Sequence, residues 1–109
     1  MTDDTTLVEE TDLQNYEIML LLSPEIGEEG AKKELDDIHG LISSSGGKLK
    51  NEDFVGLKDL AYTVKKHDRG FYVVLNLELP PEKTSEFEKT FNINNAILRY
   101  LLLKVAANY

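Results

Sequence analysis

Cysteine is absent from this chain of 109 residues. Its absence excludes disulfides, thiolate metal sites and a cysteine nucleophile, and it fits a reducing compartment. Long apolar runs are absent too: residues 18–22 and 101–105 are as long as a strand and much shorter than a membrane span. The N-terminus does not show the basic and then apolar order of a secretory signal. We therefore expect a cytoplasmic protein with one domain.

Positive charge is scarce in the sequence. The chain has 12 Lys and Arg against 20 Asp and Glu, which gives a formal net charge of −8. Residues 1–15 contain five of the acidic residues and no basic one, and this composition predicts a disordered acidic tail. Because an acidic chain repels bare nucleic acid, RNA binding would require a local basic patch or a cationic partner.

Signatures of catalysis and of bound cofactors are also missing. The sequence has no Ser-His-Asp order, no phosphate-binding loop and no glycine fingerprint of a dinucleotide site. His39 and His67 have no second ligand at a spacing typical of metal sites. We expect no catalytic residue, no metal and no cofactor, and therefore a protein that is not an enzyme.

The apolar pattern predicts the order strand, helix, strand, strand, helix, strand. Residues 16–22, 71–79 and 97–105 are apolar strands, and Gly56 predicts a bulge within a strand over 48–64. A polar turn is predicted at 65–70 and a short helix at 81–91. The first helix starts near Pro24, ends at the glycines of 43–47, and buries one stripe of Ala31, Leu35, Ile38 and Ile42.

This order predicts an α+β fold of the ferredoxin-like βαββαβ type, a four-stranded antiparallel sheet with two helices on one face. The single domain would cover residues 16–105 and leave residues 106–109 as a C-terminal end. The other face of the sheet would carry no helix.

The helix-free face is predicted to be apolar. Side chains alternate along a strand, so placing Ile18, Leu20 and Val73 under the helices leaves their neighbours on the other face. Monomers rarely leave such a patch uncovered, so we expect a docked protein partner there. A shift of one residue at a bulge would exchange the two faces. The predicted partner-binding residues are Met19, Leu21, Tyr72, Val74, Tyr100 and Leu102.

The stretch RGFYVVLN, residues 69–76, has the basic residue, glycine and aromatics with which an RNA-recognition motif begins its base-stacking strand. The match is partial, because Val73 and Asn76 stand where further aromatics are needed. The strand at 16–22 supplies aliphatic side chains instead of a second stacking platform. We therefore do not expect this strand to read bases by stacking.

Three segments, taken in order, resemble one family. They are YEIMLLLSP (16–24), GLKDLAYTVKKHDRGFY (56–72) and NINNAILRYLLLK (92–104), with the Leu-Ala-Tyr of 60–62 as the most specific part. On these residues the chain resembles the bacterial small-subunit ribosomal protein number six family, over about 16–105. Thr63 stands where the family usually has proline, and Asp59 replaces a residue that is often polar or basic.

The resemblance implies a structural component of the small ribosomal subunit, located on the ribosome in the cytoplasm. Family members bind ribosomal RNA together with a small basic protein, number eighteen of the small subunit. Such a partner would explain both the acidic charge and the open apolar face. By position, Lys58, Lys66 and Arg99 match basic residues of the family and are candidate RNA-binding residues. Lys65 and Arg69 join them because of their place in the predicted turn.

Two other classes share this predicted fold. One is a regulatory module that binds a small ligand between subunits. The other is an acylphosphatase-like hydrolase, which needs an arginine cradle in the first loop, and residues 21–27 contain no arginine. The small-ligand module is therefore the alternative function.

Overall fold

The computed structural model describes residues 13–105. Within them the strands are β1 (Gln14–Leu22), β2 (Lys48–Val64), β3 (His67–Leu79) and β4 (Ile97–Lys104), and the helices are α1 (Gly27–Ser44) and α2 (Thr84–Ile93). Short 3-10 turns, Pro24–Ile26 and Pro81–Lys83, precede the helices. The sheet order is β2-β3-β1-β4, with antiparallel neighbours. The predicted ferredoxin-like βαββαβ fold is confirmed.

Two boundaries differ from the predictions. β1 starts at Gln14, inside the region 1–15 predicted as a tail. The predicted disorder of residues 1–12 lies outside the described residues, as does the end at 106–109. The turn predicted at 65–70 contains only Lys65 and Lys66, because His67 already pairs with Val64.

α1 forms where its sequence supplies a start, an apolar stripe and a stop. The Glu25 backbone N–H donates a hydrogen bond of 3.2 Å to the Ser23 hydroxyl, in the turn that leads into the helix. The predicted stripe from Ala31 to Ile42 is buried, and the helix ends at Ser44 within the predicted stop. The helix therefore covers the sheet with one face and exposes the other.

The core lies between the two helices and one face of the sheet. Phe87 and Phe91 of α2 are buried there, with their rings edge to face at 6.0 Å between centroids. Because alternate strand residues fill this core, their neighbours along the strands must point to the opposite, helix-free face. The strand residues of the core are Tyr16, Ile18, Leu20, Leu22, Phe71, Val73, Leu75, Leu77, Leu79 and Ile97.

The β2–β3 hairpin extends beyond the rest of the sheet. β1 pairs with β3 only from Phe71 to Leu79, whereas residues 67–70 of β3 pair with β2 alone. A register shift lies next to Gly56, whose φ is 103°, so the predicted bulge is confirmed. Bulges bend strands, and in residues 58–69, which we call the hairpin tip, Tyr62 reaches Arg99 on the helix-free face while Lys65 lies near the start of β4.

Candidate RNA and protein interface

Four of the predicted partner-binding residues lie on the helix-free face. Met19 pairs with Val74 and Leu21 pairs with Tyr72, on the two central strands of the sheet. Their neighbours along both strands belong to the core. The predicted face of Met19, Leu21, Tyr72 and Val74 is therefore confirmed.

The predicted face of Tyr100 and Leu102 is wrong. Tyr100 pairs with Leu20 and Leu102 pairs with Ile18, so both point towards the helices. Both pack against the core, and the Tyr100 ring lies 5.2 Å from the ring of Phe91 between centroids. The register of β4 shifts where it meets the end of β1, and this shift reverses the alternation that a simple count predicts.

Leu101 and Leu103 occupy the helix-free face instead, and the sequence reasoning missed them. Leu101 pairs with Met19 and is 48% exposed, and Leu103 pairs with Glu17 and is 43% exposed. Arg99 could have indicated their direction from the sequence. A charged residue within a strand usually faces solvent, and residues two and four positions later, here Leu101 and Leu103, lie on the same face.

Leu21 differs from its neighbours on this face because it is only 4% exposed. It packs closely over Gly70, where an added Cβ would come within 2.6 Å of the Leu21 Cδ1 atom. A groove of about 360 Å³ crosses the face at this point. The side chains of the helix-free face that line this groove are Met19, Leu21, Tyr62, Tyr72, Arg99 and Leu101.

Arg99 and Tyr62 join the two edges of the sheet across this groove. The Arg99 guanidinium donates a hydrogen bond of 2.7 Å from Nη1 to the Tyr62 hydroxyl, and its Cζ atom lies 5.8 Å from the centroid of the Tyr62 ring. The hydrogen bond to Tyr62 raises the pKa of Arg99 above its ordinary value. Arg99 is therefore a fixed cation beside the apolar face.

Lys65 lies close to Arg99 although 34 positions separate them in the sequence. Both line a pocket of about 210 Å³ that also includes Asn92, at the end of α2. The structure thus brings together two of the five predicted RNA-binding residues.

The turn of the hairpin tip is unusual because two lysines form it. Lys65 has a φ of 48° and Lys66 a φ of 70°. Two-residue hairpin turns with positive φ favour asparagine and glycine, since a Cβ atom crowds the following carbonyl oxygen there; glycine has no Cβ, and the short asparagine side chain can hydrogen-bond locally. The tip therefore keeps two cations at positions where other residues would be more stable.

Lys58 and Arg69 lie on the two strands of the hairpin tip. Lys58 pairs with Gly70 in the sheet, on the same face as Tyr72. Arg69 forms an ion pair with Asp59, with 3.0 Å between Nε and Oδ1, so part of its charge is already compensated. The tip as a whole carries Lys58, Lys65, Lys66 and Arg69 against Asp59 and Asp68.

The histidines contact carboxylates on other elements of the fold. His67 Nε2 lies 3.1 Å from Glu25 Oε2 and connects the hairpin tip to the turn before α1. His39 of α1 contacts the Glu52 carboxylate of β2. No group of three or more metal-ligating side chains occurs between residues 13 and 105, and no helix in that range is long and apolar enough to cross a membrane.

Comparison with known proteins identifies the family. The sequence profile described as ribosomal protein S6 matches residues 15–104. The chain belongs to the ribosomal protein S6 family. The resemblance that the three segments of the sequence indicated is confirmed.

Relatives in the S6 family match nearly the whole described part of the chain. Small ribosomal subunit protein bS6 of Dictyoglomus turgidum is 40% identical over 90 residues, which cover 83% of this chain and 93% of that protein. The bS6 protein of Beutenbergia cavernae is 34% identical over 96 residues and is covered completely, as is 88% of this chain. These relatives are named as ribosomal proteins and not as enzymes, in agreement with the prediction.

A solved structure in the S6 family has the same fold. The crystal structure of 30S ribosomal protein S6 from Thermotoga maritima matches with a TM-score of 0.82 over 85% of this chain and 88% of that chain. At 22% sequence identity, this match supports the shared βαββαβ architecture.

Proposed function

We propose that this protein is a structural component of the small ribosomal subunit, in the cytoplasm, and binds ribosomal RNA together with a small basic protein, number eighteen of the small subunit. Its relatives are named as small-subunit proteins. The observation that supports binding of RNA and of a partner protein is the contact between an open apolar face and a basic hairpin tip. The two surfaces meet at Arg99 and Tyr62.

The apolar face is the proposed site of the partner protein. Leu101 and Leu103 are exposed there, and Met19, Tyr72 and Val74 are partly exposed beside them. A contiguous apolar patch of this kind is typical of protein interfaces, with a charged rim around it. Leu21 contributes to the fold rather than to this surface because it is already buried.

The hairpin tip and Arg99 are the proposed site of RNA. Lys58, Lys65 and Lys66 have no ion pair among residues 13–105, so they are available to phosphates. Each phosphate contact by a lysine or arginine releases counterions and makes binding dependent on salt. To bind RNA, Arg69 would exchange its ion pair with Asp59 for an ion pair with a phosphate. We therefore expect its net contribution to the free energy of RNA binding to be smaller.

The rest of the surface opposes RNA binding. α1 carries five Asp and Glu against two Lys, and α2 carries two Glu against one Lys. The hairpin tip therefore faces the RNA while the helices face away from it. A basic partner seated beside the tip would supply the additional positive charge that this chain lacks.

Binding of a fluorescent platform fragment of ribosomal RNA tests the proposal. We expect weak binding by this protein alone, and tight binding that falls steeply with salt when the purified basic partner is present. Equally tight binding without the partner would contradict the cooperative model. Absence of binding in both cases would contradict the assignment to RNA altogether.

A small-ligand module is the second candidate, favoured only by the groove beside Arg99. Its volume of about 360 Å³ is at the lower end of the range for small-molecule sites. Sedimentation of cell extract separates the two functions. Migration with ribosomal particles supports the ribosomal role, and migration as a free homodimer supports the module.

A further inference from the structure

A cleft separates α1 from α2 on the helix side of the molecule, away from the apolar face. Its volume is about 330 Å³. Buried Ile38, Phe91 and Ile97 line it together with the partly buried Leu41. A depression of this size can seat an apolar side chain against the partly buried Leu41 and the covered residues beneath it, and apolar side chains seated in this way anchor partners at protein interfaces.

The rim of the cleft is anionic and one side of it is held in place. Asn94 Nδ2 donates a hydrogen bond of 2.8 Å to Glu34 Oε1, and Asn94 Oδ1 accepts one of 2.9 Å from the Ala96 backbone N–H. Asn94 thus ties α1 to the loop before β4. Asp37, also on the rim, is exposed and has no hydrogen bond or ion pair among residues 13–105.

An exposed aliphatic residue stands next to this rim. Ile93, the last residue of α2, is 76% exposed and directly precedes Asn94. It adds apolar contact area outside the cleft, in addition to the lining. The cleft thus combines an apolar lining with two carboxylates, Glu34 and Asp37, that have no ion pair among residues 13–105.

Charge decides which kind of chain fits the cleft. The excess of carboxylates on both helices repels RNA and also repels the acidic segment 1–12 of this chain. A cationic polypeptide is attracted by the same charges. Its lysine or arginine side chains would meet Asp37 and the second oxygen of Glu34, while an apolar side chain enters between the helices.

We propose that the cleft between α1 and α2 binds a lysine- or arginine-rich segment of another protein, anchored by one aliphatic or aromatic side chain. This site lies on the helix side, whereas the proposed ribosomal contacts lie on the helix-free face and the hairpin tip. The inference therefore does not depend on the proposed function, and each is tested separately.

A peptide titration of the nitrogen-15-labelled full chain, followed by NMR, tests the site. The probe is a twelve-residue peptide of alternating lysine and serine with one central phenylalanine. We expect saturable shift changes at the amides of Leu41, Phe91 and Asn94. The same peptide with serine in place of phenylalanine should bind about tenfold more weakly, a difference of about 1.4 kcal/mol. Equal binding of the two peptides would overturn the anchored site.

A pair of adjacent aspartates supplies matched variants. Asp37 lies on the rim, whereas Asp36 lies on the other flank of α1, in a surface depression beside His39 and Glu52. We expect Asp37→Lys to weaken peptide binding about fivefold or more and Asp36→Lys to weaken it less than twofold. Equal weakening by both substitutions would show general charge attraction and overturn the site. Thermal unfolding of both variants confirms that the fold is intact.

A second copy of this chain is the competing occupant, since its hairpin tip is basic. Sedimentation of the free protein over a range of concentrations distinguishes the two. A monomer at all concentrations supports a separate protein as the partner. Self-association that Asp37→Lys abolishes would overturn our assignment of the occupant.

Discussion

The guanidinium of Arg99 donates a hydrogen bond to the Tyr62 hydroxyl, although the two residues belong to opposite edge strands of the sheet. β3 and β1 lie between these edges, so the contact exists only because the hairpin tip bends back over the helix-free face. It also brings Lys65 towards Arg99. One hydrogen bond therefore links the placement of the tip to the placement of its cations.

Tyr62→Phe tests this link, since it removes the hydroxyl and keeps the ring. We expect the amides of residues 60–66 to exchange with solvent a few-fold faster, while the amides of β1 keep their protection. Hydrogen exchange followed by NMR measures both regions. Tyr100→Phe is the control, because the Tyr100 ring packs edge to face on Phe91 of α2 and the hydrogen bond of Arg99 goes to Tyr62. Unchanged exchange in Tyr62→Phe would show that the tip is held by its own strand pairing.

Two leucines of the helix-free face should respond differently to substitution. Leu21→Ala creates a cavity beside Gly70 and should lower the free energy of unfolding by about 2–5 kcal/mol, because Leu21 is 4% exposed. Leu101→Asp should change stability by about 0.5 kcal/mol or less and weaken partner binding more than about tenfold. Urea denaturation and calorimetry with the purified partner measure the two effects. Unchanged binding of the partner protein by the Leu101→Asp variant would show that the partner binds elsewhere on the molecule.

Replacement of Lys65-Lys66 by Asn-Gly should separate stability from RNA binding. Asparagine and glycine suit the positive φ of this turn, so the variant should be more stable by about 1 kcal/mol. It loses two cations. The slope of the logarithm of the RNA-binding constant against the logarithm of the salt concentration should therefore become shallower by about 0.7–0.9 per lost phosphate contact. Replacement by Arg-Arg, which keeps the charge, is the matched control. An unaltered salt dependence in the Asn-Gly variant would remove these lysines from the RNA site.

Two glycines should react in opposite directions to replacement by alanine. At Gly70 an added Cβ would lie 2.6 Å from Leu21 Cδ1 and 3.0 Å from the Leu22 carbonyl oxygen, so we expect a loss of about 1–3 kcal/mol. At Gly40, on the exposed side of α1, an added Cβ meets nothing within 4 Å, so we expect a gain of about 0.5–1 kcal/mol. Urea unfolding compares the variants, and a stable Gly70→Ala protein would contradict the tight packing of Leu21.

The central part of the fold was predictable because its patterns are unambiguous. In β3, buried residues alternate strictly with partly exposed ones from Phe71 to Leu79. In α1, the spacing of the apolar residues fits only a helix with one covered face. These two elements place the core, and the helix-free face of the central strands follows from them.

β4 was harder to assign because nearly all of its residues are apolar. Ile97 and Leu98 are both buried, so the strand does not begin with a simple alternation. The register shift beside Leu22 depends on how β4 meets β1, which no local pattern contains. Arg99 marks the helix-free face, but Lys104 at the end of the strand pairs with Tyr16 of the core, so the charged residues of β4 alone do not assign its two faces.

The electrostatics of the hairpin tip could not be derived from composition alone. Residues 65–70 are polar, which suggested one long turn, but backbone pairing starts already at His67. The register that results places Arg69 opposite Asp59 and produces their ion pair. The register of the paired strands therefore decides which basic side chains form ion pairs within the chain and which are left to contact phosphates.

The separation of charge described above gives the molecule a permanent electric moment, with cations on a projecting hairpin and anions on the helices. In the field of a polyanion such a molecule rotates before it touches the surface, so a larger share of collisions begins with the hairpin forward. Added salt shortens the range of this orienting force to about 8 Å at physiological ionic strength. For the proposed binding of RNA, this charge distribution would favour encounters that begin at the hairpin, even though the net charge is of the repulsive sign.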